Sequence, residues 1–184
     1  LQKTFPKKWD DLHHIIIIPT YKEPLATLER TVEALLQQTY PVKNLHIMVS
    51  FEVREGAEAQ SKSQALIKKY EGKFGNFWTT FHPDILGEVK GKSSNTCWGA
   101  KEAKKLLVDE QKIPIEMVTI TSEDADALFH PNYFAAVTFD FLNIPNPYNV
   151  IWQGAVVFYN NIWKVPAPVR VLSAMFSVIQ MHIL

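Results

Sequence analysis

The tightest constraint on the fold of this chain is the run His13 to Ile18, HHIIII, closed by Pro19. β-Branched residues pack well on a pleated surface, and an unbroken apolar run reads as a strand buried on both faces of a parallel sheet. Parallel strands need crossovers, and the following residues supply one. After the polar loop Thr20, Tyr21, Lys22, Glu23 and Pro24, apolar residues at Leu25, Leu28, Val32, Leu35 and Leu36 fall at helical spacing, and Tyr40 and Pro41 stop the helix. The pattern then repeats. Leu45 to Ser50 reads as a second strand running into Phe51, Glu52, Val53, Arg54, Glu55 and Gly56, with a helix from Ala57 to about Tyr70. Asn76 to Phe81 reads as a third strand, entering the loop His82 to Asn95 with Gly87, Gly91, Lys92, Ser93 and Ser94. A third helix is predicted from about Thr96, with Trp98, Ala103, Leu106 and Leu107 inward, and Met117, Val118 and Ile120 form a fourth, buried strand. Regular alternation predicts an α/β fold with a mainly parallel sheet flanked by helices. Right-handed crossovers bring the post-strand loops to one edge, so Thr20 to Glu23, Glu52, Lys92 and Asp124 to Asp126 are expected to meet.

The fourth strand runs directly into Glu123, Asp124 and Asp126. In an open α/β sheet ligands collect outside the carboxyl ends of the strands, so these carboxylates arrive at the ligand crevice. Ala125 between Asp124 and Asp126 lets a turning backbone aim both at one point, and two hard oxygen donors suit Mg²⁺ or Mn²⁺ with substrate phosphates completing the shell. The competing reading is a helix cap ahead of Pro131, Tyr133, Phe134 and Val137. Similar pairs of readings stand for the other residues. Lys92 is a phosphate-side cation or a solvated lysine. Glu23 is a ligand contact or a helix-start carboxylate, and Asn95 a site residue or an N-cap. His130 is a ligand or a surface histidine at a helix start, whereas His13 and His14 have no spaced partner and no metal role is expected of them.

Charge excludes one class of partner: 19 basic and 19 acidic residues balance, so no bulk field favours nucleic acid or an anionic membrane, and phosphate binding has to be local. The 184 residues, 47% hydrophobic, suffice for a well-buried domain. Cys97 is the only cysteine, which rules out an internal disulfide and reads as a small buried hydrophobe. The N-terminal LQKTFPKKWDDL has no apolar core of a signal peptide, and no segment reaches about 18 uninterrupted apolar residues. The chain lacks an initiator Met and stops inside an apolar periodic segment at Met181, His182, Ile183 and Leu184, so it is expected to be a piece of a longer protein.

After Leu142 the alternation breaks, dividing the chain into residues 1–142 and residues 143–184. Asn143 to Asn149 reads as loop, Val150 to Phe158 as another strand, and Tyr159, Asn160, Asn161, Ile162 and Trp163 as a polar-aromatic segment. Trp152, Gln153 and Trp163 either line a ligand site, the aromatic rings stacking on its occupant, or pack in a core. The last stretch sets Leu172, Met175, Phe176, Ile179 and Ile183 on one helical face and Arg170, Ser173, Ser177 and Gln180 on the other. Core packing and an interfacial membrane helix at residues 169–184 both fit that pattern.

Three stretches, IIIIPTYKEP with a helix ending LLQQTYP, then GKSSNTCWGAKEA, then EDADALFHPNYF, resemble in order and spacing the family 2 glycosyltransferases of GT-A fold, in particular the catalytic domain of membrane-associated members. The resemblance covers roughly residues 14 to 140, and it implies a nucleotide-sugar donor-binding region at residues 1–142 and the start of an acceptor-side region at residues 143–184. It implies transfer of a hexosyl group from a nucleotide diphosphate sugar, expected to be a UDP-sugar, to an acceptor hydroxyl on a carbohydrate or lipid-linked acceptor. Inversion and dependence on Mg²⁺ or Mn²⁺ are implied with it. Carried over by motif, Thr20, Tyr21 and Glu23 match the first donor loop, Glu52 stands where the family usually has an Asp contacting base or ribose, and Lys92 and Asn95 lie near the donor. Asp124 and Asp126 match the metal-binding Asp-x-Asp, with Asp124 also on the donor side. The family's later Glu-Asp base motif and Gln-x-x-Arg-Trp motif do not occur after residue 150, so the general base is expected beyond Leu184, and the fragment is expected to bind donor with or without turnover.

The implied setting is the cytoplasmic face of a membrane as part of a longer membrane protein. Two rivals remain. A non-catalytic nucleotide-, metal- or partner-binding module would use the same crevice. A sugar nucleotidyltransferase shares the general fold but should carry a Gly-rich basic loop after the first strand, where PTYKEP has no glycine.

Overall fold

The computed structural model describes residues 8–158 and 162–183, with the side chains of 164 and 180–183 left out. The expected polar-aromatic residues Tyr159, Asn160 and Asn161, and the side chains of Met181, His182, Ile183 and Leu184, lie outside the described residues.

Four strands, β1 (His13–Pro19), β2 (Leu45–Glu52), β3 (Asn76–His82) and β4 (Val118–Ser122), form one sheet in the order β3-β2-β1-β4, and every pairing is parallel. Helices α1 (Leu25–Leu35), α2 (Ala57–Tyr70), α3 (Lys92–Lys104) and α4 (Tyr133–Asn143) flank it. This is the α/β architecture with a parallel sheet covered by helices that a GT-A-like fold requires. The chain steps outward from β1 to β2 to β3, then returns to the far side of β1 for β4. That reversal makes the β1/β4 border the switch point of the sheet, where loops diverge and leave a crevice.

β1 is the core strand because its four isoleucines serve both faces. Ile16 and Ile18 pack with Leu28, Val32 and Leu35 of α1, Leu66 and Tyr70 of α2 and Phe134 of α4. Ile15 and Ile17 pack with Met48, Ala103 and Leu107 on the α3 side. Removing such side chains from water contributes about 1.5–3 kcal/mol each, so the apolar run, rather than strand propensity alone, fixes β1 at the centre. Gly99 lets α3 lie close: a Cβ there would sit 3.0 Å from Ile17 Cγ2 and 3.1 Å from Ser50 Cβ.

Several expectations change. β4 is an edge strand, with Ile120 57% exposed, so the fourth strand is not buried as its composition suggested. The third helix begins at Lys92, four residues earlier than predicted, and continues past Lys104 into a π-helical turn, Lys105–Glu110. Cys97 is exposed on that helix rather than buried. Residues 151–158 carry no strand; Ile151 is 95% exposed, and an apolar run without a ladder partner has nothing to hold it extended in a sheet.

The chain divides into two compact units, one up to Tyr148 and one from Asn149. In the second, α5 (Ala167–Ile183) turns serines inward: Ser177 is buried, its Oγ accepting from Phe158 N at 3.0 Å and donating to Ser173 O at 2.9 Å. Val171, Leu172, Met175, Phe176 and Val178 are each at least half exposed, and Trp163 is largely exposed, so core packing is not what these apolar side chains do. Among the described residues no helix is long and apolar enough to cross a membrane.

Candidate ligand cleft at the carboxyl edge of the sheet

A cleft of about 290 Å³ opens at the switch point, lined by Pro19, Thr20, Tyr21, Glu23, Glu52, Arg54, Gly91, Lys92, Asn95, Asp124, Ala125 and Asp126. All the residues expected to meet there do so except Lys22, which does not line the cleft, and they come from four separate stretches of sequence.

The Asp-Ala-Asp turn is built from both sides. Glu123 N donates to Ile17 O at 2.9 Å, extending the β1–β4 ladder by one residue, and Ala127 N donates to Asp124 O at 3.0 Å to close a turn. Ala125 points inward, its carbonyl accepting from the buried Thr31 hydroxyl of α1 at 2.7 Å. The small residue is thereby pinned to the core, and Asp124 and Asp126 on either side of it reach the cleft. A helix-cap role for this cluster is ruled out, because α4 begins only at Tyr133 with Asn132 at its cap position. His130 is an exposed turn residue whose Nδ1 accepts from Asn132 N at 3.2 Å.

Lys92, the first residue of α3, forms an ion pair with Asp124 across the cleft. Both side chains are more than half exposed, so the pair contributes little stability, and its charges stay available to an incoming ligand. Asn95 is a helix residue and not an N-cap. Almost fully buried, it donates through Nδ2 to Ser50 O at 2.8 Å and Thr20 O at 3.3 Å, and its Oδ1 accepts from Ser50 Oγ at 2.6 Å. It fastens α3 to the ends of β1 and β2 and forms the cleft floor.

Thr20 is 3% exposed, and its hydroxyl has no hydrogen-bond partner. A buried polar atom left unsatisfied in a cleft wall is the kind of group a ligand completes. Glu23 lies before the first turn of α1, whose cap position is Pro24, so it does not act as a helix-start carboxylate and instead lines the cleft.

At the β2 end, Glu52 is 5% exposed and paired with Arg54, whose guanidinium carbon lies 4.1 Å from the Tyr21 ring centroid. The sequence reading missed Arg54, since a lone arginine two residues past a strand carries no motif. It also missed the fate of Glu123. That carboxyl is 2% exposed with neither oxygen hydrogen-bonded, and burial, reinforced by Asp124, pushes its pKa well above the usual carboxylate range. Glu123 is buried and does not line the cleft, so the three acidic residues split into two cleft-lining carboxylates and one buried acid.

At the opposite, amino edge, His13 Nδ1 and His46 Nε2 share a hydrogen bond of 2.8 Å, and His14 bonds Thr119 at 2.6 Å and Thr138 at 2.9 Å. Among the described residues no three His, Cys, Asp or Glu side chains converge on one metal position. Two carboxylates nevertheless match the donor chemistry of Mg²⁺ or Mn²⁺, which retain waters and take further oxygens from phosphates.

No family model matches the sequence, and no curated relative matches it. A solved structure to which the chain is similar is the mannosyltransferase PcManGT from Pyrobaculum calidifontis, in complex with GDP-Man and Mn2+, at 19% identity and a TM-score of 0.45. The match covers 73% of this chain and 33% of that protein, so the chain spans about a third of its length.

Proposed function

We propose that the cleft binds the nucleoside diphosphate of a nucleotide sugar together with Mg²⁺ or Mn²⁺, and that the chain is the donor-binding part of a glycosyltransferase. The observation carrying this reading is the convergence of Thr20, Tyr21, Glu52, Lys92, Asn95, Asp124 and Asp126 on one polar cleft at the sheet's switch point. Thr20 Oγ1, buried without a partner in its wall, supports the presence of a ligand.

Within the reading each group has a distinct task. Asp124 and Asp126 would hold the metal, which when bound neutralises charge developing on the diphosphate as it leaves. Lys92 exchanges Asp124 for a phosphate oxygen and adds a second positive charge on the leaving group. Asn95 sets the angle of α3, and therefore where the Lys92 ammonium can reach. Tyr21 offers a ring face and Glu52 an acceptor at the other end of the cleft, suited to the nucleoside of UDP or GDP. The acceptor is a carbohydrate or lipid-linked hydroxyl.

The reading extends to contact of α5 with a membrane surface, supported by the exposed Val171, Leu172, Met175, Phe176 and Val178.

Calorimetric titration of UDP and GDP into the chain, with and without Mn²⁺, tests the proposal. Metal-dependent binding that disappears in an Asp124→Asn, Asp126→Asn variant with an unchanged circular dichroism spectrum is the expected result. Binding indifferent to both the metal and the two aspartates would overturn it. Turnover of an added nucleotide sugar by the chain would show an enzyme rather than a non-catalytic nucleotide-binding module, and release of pyrophosphate from an added nucleoside triphosphate would instead point to a nucleotidyltransferase.

A further inference from the structure

Thr31 is a polar residue at a place where packing asks for an apolar one. It lies on the buried face of α1, fully removed from solvent, in a helix whose other buried residues are Leu28, Val32 and Leu35. Valine has the same branched shape, and a hydroxyl taken out of water costs stability unless it is bonded. A threonine inside a helix commonly turns that hydroxyl back to a carbonyl of its own preceding turn. Thr31 donates instead to Ala125 O, on a different element, at 2.7 Å.

The identity of the acceptor gives the bond its consequence. Ala125 O belongs to the planar peptide unit that joins Ala125 to Asp126, so a bond to that oxygen fixes the plane from which the Asp126 side chain departs. Asp124 is held differently. Glu123 N donates to Ile17 O at 2.9 Å and Ala127 N to Asp124 O at 3.0 Å, main-chain bonds that do not depend on which side chain α1 carries. A second anchor, just past the end of α1, acts further along the chain. Gln38 donates through Nε2 to His130 O at 3.0 Å and accepts from Phe134 N at 3.3 Å, which holds residues four and more positions beyond Asp126. Of the two carboxylates lining the cleft, Asp126 is thus the one whose peptide is set by a side chain of α1.

We infer that Thr31, which lines no part of the cleft, is a positioning residue for the divalent ion: its hydroxyl orients Asp126 and so sets the affinity of the cleft for Mg²⁺ or Mn²⁺. This rests on the metal–diphosphate reading of the cleft. An ion shared by two carboxylates needs both in place at once, and Mg²⁺ in particular demands near-octahedral geometry at about 2.0–2.1 Å. Without the Thr31 hydroxyl the Asp126 peptide has one restraint fewer and a buried carbonyl has lost its donor. Loss of a group that orients a ligand from behind lowers metal affinity about 10–100-fold.

The test is the Mn²⁺ concentration needed for half-maximal binding of UDP and GDP to the full 184-residue chain, measured by calorimetry beside urea melts without metal. Thr31→Val keeps the shape and loses the donor, so that concentration should rise about tenfold or more. Thr31→Ser keeps the donor and loses a methyl group; it should lose stability in urea and keep the native Mn²⁺ requirement. Thr31→Ala and Thr31→Ser differ by the hydroxyl alone, so the same comparison can be read from that pair if the valine variant does not fold. Gln38→Met removes two bonds from the same segment and should lower the urea midpoint while leaving the Mn²⁺ requirement native. A native requirement in Thr31→Val or Thr31→Ala, a serine variant as weak as these two, or a Gln38→Met variant weakened as much would each overturn the inference alone, making Thr31 a packing residue. A folded native chain that binds neither nucleotide in a Mn²⁺-dependent way would overturn the metal–diphosphate reading and the inference with it.

Discussion

Glu123 buries a carboxyl with neither oxygen hydrogen-bonded, and that isolation makes it a pH-dependent weak point. Its pKa is raised in the folded state by burial and then by Asp124, so the native chain prefers the protonated acid. The sign follows: the contribution of Glu123 to stability is complete below the unfolded pKa near 4.5 and is lost as pH rises toward the higher folded value. The buried histidines act the other way. Burial, with the neighbouring histidines adding to it, holds His14 down at about 3, and burial with His13 holds His46 at about 4. Both are neutral in the fold, so their contribution is present above 6.5 and lost as pH falls toward those values. In urea melts, Glu123→Gln should therefore gain stability over the native chain between pH 5 and pH 8, by on the order of 1–3 kcal/mol at pH 8, and keep the native chain's decline below pH 6.5. A difference between the two proteins that is the same at every pH would show that Glu123 does not titrate across that range.

At the scale of elements, the position of α3 decides the cleft, because one helix delivers Lys92 and Asn95 and packs on the sheet through Gly99. The Cβ contacts at Gly99 leave room for little more than a hydrogen. Gly99→Val should push α3 off Ile17 and Ser50, cost about 1–3 kcal/mol from overpacking, and weaken nucleotide binding by shifting Lys92 away from Asp124. Thermal melts and the nucleotide titration check both parts, and a variant with native affinity would detach helix position from function. The same helix marks what sequence could and could not convey. Its apolar spacing announced a helix, but the start at Lys92 escaped, since no capping side chain precedes it and Gly91 holds the cap position. β1 and α1 were legible because apolar period and burial coincide there; α2 runs over the expected Ala57–Tyr70 although its buried face includes Lys62 and Ser63. β4 misled: its composition is that of a buried strand, while its edge position is set by where the chain returns to the sheet, a long-range fact that no local window contains. The meeting of the loops was readable from parallel topology. The Glu52–Arg54–Tyr21 cluster was not, because it joins two loops through side-chain geometry alone.

The whole molecule poses one further question, how much of it the cleft needs. Every lining residue lies between Pro19 and Asp126, and both hydrophobic clusters are formed by residues before 142, so the first compact unit contains its own core and its own site. The second unit has the opposite character, with apolar side chains of α5 half exposed and a serine turned inward. A large exposed apolar surface on a small unit favours association with a lipid surface or with itself. A chain ending at Tyr148 should accordingly unfold cooperatively and bind nucleotide with the affinity of the full chain, while the full chain alone sediments with phosphatidylcholine vesicles. Because net charge is zero, that sedimentation should rest on apolar burial and persist at high salt, where attraction between charges is screened. Equal sedimentation of both chains would remove α5 from the membrane reading, and loss of nucleotide binding on truncation would show that residues after Tyr148 support a site they do not line.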